Sequence, residues 1–124
     1  MTDLTTWLLE QIEADEAVAR AATEGPWEAA TGASGSESWV ERRNLADIAY
    51  VQGNPNHAAD AEHIAKQDPA ATLRRCAALR ATITGLQRIA VASDDRAGLV
   101  AWSAIQKLAA AYSDRAGYAE AVGL

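Results

Sequence analysis

Phenylalanine is absent from this sequence, and cysteine and methionine occur once each. The lone Cys76 cannot close an intrachain disulfide, and with two histidines in the chain it cannot complete a structural zinc site. A reducing cytoplasm is therefore the expected compartment, and neither metal nor cofactor is expected. The opening segment has no basic cluster, its first positive side chain being Arg20, and no apolar run approaches the roughly 18 residues of a membrane span. Export by a signal peptide and embedding in a membrane are both disfavoured on those grounds. What remains is an alanine-rich chain of 124 residues, 49% hydrophobic, whose four tryptophans and scattered Leu and Ile must supply most of the bulky core. That length suits a single domain spanning residues 1–124.

Charge is unevenly placed. Residues 1–28 hold seven acids (Asp3, Glu10, Glu13, Asp15, Glu16, Glu24 and Glu28) against Arg20 alone, which accounts for the whole net charge of −6. Residues 69–93 carry Arg74, Arg75, Arg80 and Arg88 and no acid. An acidic first helix and a basic central helix are thereby expected to dock, within one chain or between two. The acidic balance, with a pI near 4.8, disfavours sequence-independent nucleic-acid binding, which draws on a local excess of Lys and Arg.

The periodicities predict an α+β fold. Leu4, Trp7, Leu8, Ile12, Val18, Ala19 and Ala22 share one face of a first helix running to residue 23, with Thr2 as cap and Glu24-Gly25-Pro26 as its stop. Residues 27–52 lose helical spacing. Trp27–Thr31, Ser38–Arg42 and Ala46–Gln52 read as three short antiparallel strands, the first two joined by a flexible Gly-Ser tip. After the Gly53-Asn54-Pro55-Asn56 turn, residues 57–67 form a short helix with Ala58, Ala61, Ile64 and Ala65 inward. Asp68-Pro69 combines an acceptor side chain at a cap with proline at the first helical position, opening a helix over 69–92. Its seam of Cys76, Leu79, Ile83, Leu86 and Ala90 faces a partner helix over 94–112, which turns Trp102, Ile105, Leu108, Ala109 and Tyr112 to one side. The tail 113–124 ends in a short helix around Tyr118–Val122.

Several residues invite a chemical reading. Asp15 falls within the apolar arc of the first helix, where a carboxylate must be paired, neutralised or exposed. Arg75 or Arg80, flanking the seam of the basic helix, is the expected partner. His57, Asp60 and His63 recur every three residues, but two histidines about 120° apart around a helix do not converge on a metal. The Gly32–Ser38 stretch lacks the Lys-Ser/Thr ending of a phosphate loop, and no nucleophile elbow, dinucleotide fingerprint or catalytic carboxylate pair is present. Core packing is the simplest role for Trp7, Trp27, Trp39 and Trp102. Were one sheet face left uncovered, Trp39, Val40 and Tyr50 would form an aromatic patch of the protein-binding kind.

Three stretches carry a resemblance: Ala21-Ala22-Thr23-Glu24-Gly25-Pro26-Trp27, then Asp60-Ala61-Glu62-His63-Ile64-Ala65-Lys66-Gln67-Asp68-Pro69-Ala70, then Leu108-Ala109-Ala110-Ala111-Tyr112-Ser113-Asp114-Arg115-Ala116-Gly117-Tyr118. In this order they resemble a family of small, functionally uncharacterised proteins of actinobacteria and their phages with ATPGPW, AHIARHDPA and YADHPGY-type motifs. Glu24 stands where that pattern has proline and Gln67 where it has histidine, and Val91–Ala101 lacks the Cys-rich stretch of relatives. The resemblance implies a shared fold, a phage or actinobacterial origin, and a structural role for His63 and Asp68 in capping or in a hydrogen bond beneath the sheet. It implies no activity. The expectation is a non-enzymatic accessory protein in the host cytoplasm that binds a host or phage protein through its acidic helix or sheet face. A homo-oligomeric structural protein is the alternative, and a small-ligand enzyme built around Asp15, Arg75 and His63 the third reading.

Overall fold

Asp68 and Asp95 cap the two long C-terminal helices in the computed structural model, which describes residues 3–43 and 46–123. The elements are α1 (Leu4–Ala21), β1 (Glu28–Thr31), β2 (Glu37–Arg42), β3 (Ala46–Gln52), α2 (His57–Ala65), α3 (Pro69–Ala92), α4 (Arg96–Ala110) and α5 (Tyr118–Val122). This is the α+β arrangement the sequence predicts; the proposed Thr2 cap lies outside the described residues. The chain forms two compact units, one of Met1–Asp15 with Cys76–Leu124 and one of Glu16–Arg75.

The first unit is helical. Leu4, Trp7, Leu8 and Ile12 from α1 pack with Cys76 and Ile83 of α3 and Ile105 and Ala109 of α4. Leu79, Leu86, Leu108 and Tyr112 are partly buried against them. Fully burying Leu8, Ile12, Ile83 and Ile105 stabilises by about 1.5–3 kcal/mol each. The expected docking of α1 against α3 is thus present here as an apolar contact. Asp95 caps α4, its carboxylate accepting from the amides of Ala97 and Gly98 at 3.1 and 3.5 Å. A Cβ at Gly98 would run into the Ser93 carbonyl, so the tight α3–α4 turn requires glycine there.

Two positions expected inward on the main helices are corrected. Trp102 is an exposed large side chain, because the buried stripe of α4 runs through Gly98, Ala101, Ile105 and Ala109. Val18 is 71% exposed whereas Glu16 is only 8% exposed. A helical wheel assumes one buried side along the whole helix, but α1 belongs to the first unit only up to Asp15, and in its remainder, part of the second unit, Glu16 and Ala19 are the buried positions.

The second unit centres on a three-stranded antiparallel sheet in the order β1-β2-β3. Register pairs Ala30 with Trp39 and Trp39 with Tyr50, with an irregularity between Val40 and Glu41. Period two along β2 sends Ser38 and Val40 to one side and Glu37, Trp39 and Glu41 to the other. On the first side lies α2, with Val40, Ser38 and Ala61 fully buried. Ala58, expected inward, is exposed at the margin of α2.

Candidate interaction face and its supports

The side of the sheet away from α2 carries an aromatic pair. Trp39 and Tyr50 stack with centroids 6.0 Å apart and planes at 22°, and Tyr50 is 58% exposed. The indole N–H of Trp39 donates to Glu41 Oε2 at 2.8 Å. Glu37 and Glu41 precede and follow Trp39 on that side, and register places Glu28 directly across from Glu41. Arg43 donates to Glu28 Oε1 through Nη2 at 2.7 Å and Nε at 3.1 Å, which raises the guanidinium pKa above its usual value. Val40, placed in this patch by the sequence reading, belongs to the opposite side: alternation along a strand separates it from Trp39.

His57, not His63, makes the hydrogen bonds beneath the sheet. Its Nδ1 lies 2.7 Å from Ser38 Oγ and its Nε2 lies 2.9 Å from the Gly35 carbonyl. A carbonyl only accepts, so Nε2 carries the proton of the neutral ring, and Nδ1 accepts from the Ser38 hydroxyl. Ser38 Oγ also meets Thr31 Oγ1 at 3.1 Å, extending the network to β1. With Ser38 fully buried, this is a serine–histidine contact without access for a substrate. His63 and Asp60 are exposed on α2, so the histidine pair does not converge. The network also tethers the β1–β2 turn, expected from sequence as a free tip, through Gly35. Nothing in the sequence separates His57 from His63 except its place just after the Asn-Pro-Asn turn.

Asp68 does what the resemblance implied. Its Oδ1 accepts from the Ala71 amide at 2.9 Å, capping α3, and its Oδ2 accepts from the Trp27 amide at 3.3 Å. Trp27 in turn donates its indole N–H to the Thr23 carbonyl at 2.8 Å. The Gly25-Pro26-Trp27 and Asp68-Pro69 motifs are therefore two halves of one clasp, with a cis peptide between Gly25 and Pro26. Beside the clasp an open cleft of about 820 Å³ is lined by Trp27, Glu28, Glu62, Lys66, Asp68 and Arg74, among others. Glu62 pairs with Lys66 at 3.3 Å and Glu28 is held by Arg43. Both motif departures make polar contacts: Glu24 lies 3.9 Å from Arg42, and Gln67 Oε1 accepts from Arg75 at 2.7 Å.

In the helical unit, Asp15 pairs with Arg115 at 2.8 Å instead of the expected Arg75 or Arg80. Arg75 is occupied by Gln67 and Thr72, and Arg80 makes other interactions. Spacing on the wheel correctly picked out Asp15 but could not foresee that the tail returns to α1. Arg115 also donates to the Gln11 carbonyl at 3.3 Å and lies 4.7 Å over the Tyr112 ring. Burial, then the nearby Asp15 charge, raises the Tyr112 pKa above 10.0, with Arg115 opposing. Of the proposed enzyme centre, Asp15 is held by Arg115 in the helical unit, while in the other unit Arg75 is bonded to Gln67 and His63 is exposed; among the described residues no group of three His, Cys, Asp or Glu side chains could hold a metal ion. No helix among those residues is long and apolar enough to cross a membrane.

No curated protein and no solved structure matches the chain. A family model described as a family of unknown function (DUF6221) matches residues 1–121, and the chain belongs to that family.

Proposed function

We propose that this chain is a non-enzymatic accessory protein that acts by binding another protein, with the Trp39/Tyr50 side of the sheet as its contact face. One observation carries the reading: a stacked aromatic pair, 58% exposed at Tyr50, on the side of the sheet that α2 does not cover. Aromatic side chains held by neighbours lose little entropy on binding, and they recur as the anchors of protein interfaces. The motif resemblance supports a phage-encoded protein working on a host or phage partner in the host cytoplasm. Affinity capture from host cells with wild type and with Tyr50→Ala, each verified as folded by circular dichroism, tests this. The expected result is a specific protein retained by wild type and lost with the variant; identical capture by both would overturn the contact face.

A second reading is homo-oligomerisation, favoured by one feature of the helical unit. Leu86 and Ile89 of α3 and Ala97, Val100 and Ala101 of α4 line an almost wholly apolar hollow of about 430 Å³. Leu99, Val100 and Val91 are also exposed large apolar side chains of that hairpin.

A further inference from the structure

We infer that the sheet face takes a basic partner: an extended, arginine-bearing segment of another protein, laid along β2 with a guanidinium over the Trp39/Tyr50 pair. This rests on the binding reading above and adds the chemistry of the occupant. Glu37, Trp39 and Glu41 alternate onto one side of β2, so an acidic residue is anchored about 7 Å along the strand to each side of Trp39, and the Glu41 carboxylate reaches back to the indole N–H at 2.8 Å. Among the described residues neither Glu37 nor Glu41 has a cationic partner. The Trp39 indole N–H is already bound to Glu41 and one of its ring faces is stacked on Tyr50, which leaves the exposed Tyr50 ring and the part of the indole that this stack does not cover, electron-rich and beside a carboxylate, as the recognition element.

Two features make the charge argument specific. Glu41 and Glu28 are directly opposite in the β1–β2 register, a like-charge cross-strand pair that is unfavourable unless neutralised. Arg43 neutralises Glu28 alone, with two N–H donors on one oxygen, and thereby shows that this rim accepts a guanidinium. A second guanidinium arriving from outside would relieve the charge left on Glu41 and Glu37. An extended peptide repeats its same-side residues every 7 Å or so, the spacing of Glu37, Trp39 and Glu41, so basic residues at alternate positions fit the ladder. Arginine fits better than lysine, because its planar fork both stacks on an aromatic face and bridges a carboxylate.

The test is titration of the full chain with a blocked Gly-Arg-Gly-Arg-Gly-Arg peptide, its Lys and Glu counterparts serving as comparisons. The Trp39 indole N–H resonance, assigned with Trp39→Phe, is the readout. Saturable shifts are expected with the Arg peptide, weaker ones with Lys and none with Glu. Affinity should fall at least tenfold in the double variant Glu37→Gln/Glu41→Gln, whose side-chain amide at position 41 can still accept the indole N–H, and should fall between 50 and 300 mM salt. No saturable shift, equal binding of the Glu peptide, or unchanged affinity in the double variant would overturn the basic occupant. If the peptide fails while Tyr50→Ala still loses a cellular partner, the binding face stands and only its chemistry falls. Failure of both removes the face as well.

Discussion

Asp68 shows how much a single side chain can be read from sequence. An acidic residue before proline after a helical pause signals a cap, and the carboxylate does accept from the Ala71 amide. Its second oxygen serves the Trp27 amide, 41 residues away in sequence, which no local signal announces. Asp68→Ala should therefore cost about 1–2 kcal/mol for the cap, and somewhat more for the clasp. Asp68→Asn should fall between, since an amide keeps only one acceptor oxygen for two N–H donors. Urea unfolding of the three proteins checks the order; an Asn variant as damaging as Ala would show that charge, not acceptor count, is what matters. Asp15 teaches the opposite lesson. Its position on an apolar face was legible, but its partner was not, because pairing depends on where the tail lands. Its side chain is 30% exposed and that of Arg115 33%, so solvent screens the pair. Asp15→Ala is accordingly expected to cost about 1 kcal/mol, nearer a surface ion pair than the roughly 3–5 kcal/mol of a buried one. Arg115→Ala should cost more, losing also the Gln11 carbonyl and the Tyr112 ring. A double-mutant cycle in which Asp15→Ala alone reached the larger figure would mean the pair behaves as buried.

At the scale of elements, helices α2, α3 and α4 and all three strands were legible because each has its own punctuation. Gly-Pro, Asn-Pro-Asn, Asp-Pro and Ser-Asp-Asp break the chain where the elements stop, and period two or 3.6 fills the intervals. The tail was the least informative stretch, yet it contains a motif with a clear structural role. After α4 the chain turns at Gly117, φ +87°, into α5. The Trp7 indole N–H donates to the Ala116 carbonyl at 3.1 Å, and Tyr118 meets the Trp7 ring edge-on at 5.7 Å. The Tyr-x-x-x-x-Gly-Tyr spacing is thus a strap across Trp7, in which the glycine is needed twice. A Cβ there would lie 2.7 Å from the indole nitrogen, and left-handed backbone disfavours any other L residue. We expect Gly117→Ala to destabilise by about 1–3 kcal/mol and to shift the Trp7 indole N–H resonance. A melting temperature and indole spectrum equal to wild type would remove the strap.

For the whole molecule, the most visible property of the sequence, its segregated charge, is only partly expressed in the packing. The α1–α3 contact in the helical unit is made by Leu, Ile, Trp and Cys76, with the nearby acid Asp15 given to the tail. Part of the acidic surplus lies on exposed positions such as Glu10 and Glu13, and Arg74, Arg75 and Arg88 are exposed on α3. The proposed contact face was legible only as a condition: the sequence names Trp39 and Tyr50 as a patch if one sheet face is uncovered, but a pattern of residue types does not contain exposure, and core packing is the simpler reading of Trp39 until Tyr50 is seen 58% exposed beside it. The same surplus decides between the two readings of assembly. Copies carrying −6 each repel at low ionic strength, and the apolar hollow between α3 and α4 offers no opposite charge to offset this beyond Arg96. The chain is therefore expected to be monomeric in low salt by light scattering after size exclusion. Any association through the apolar hollow should grow as salt screens the repulsion and should vanish with Val100→Glu. A dimer present at low salt and dissociated by high salt would require the other arrangement, the acidic opening segment of one copy against the arginines of α3 in the next, and would favour an oligomeric role over binding through the sheet.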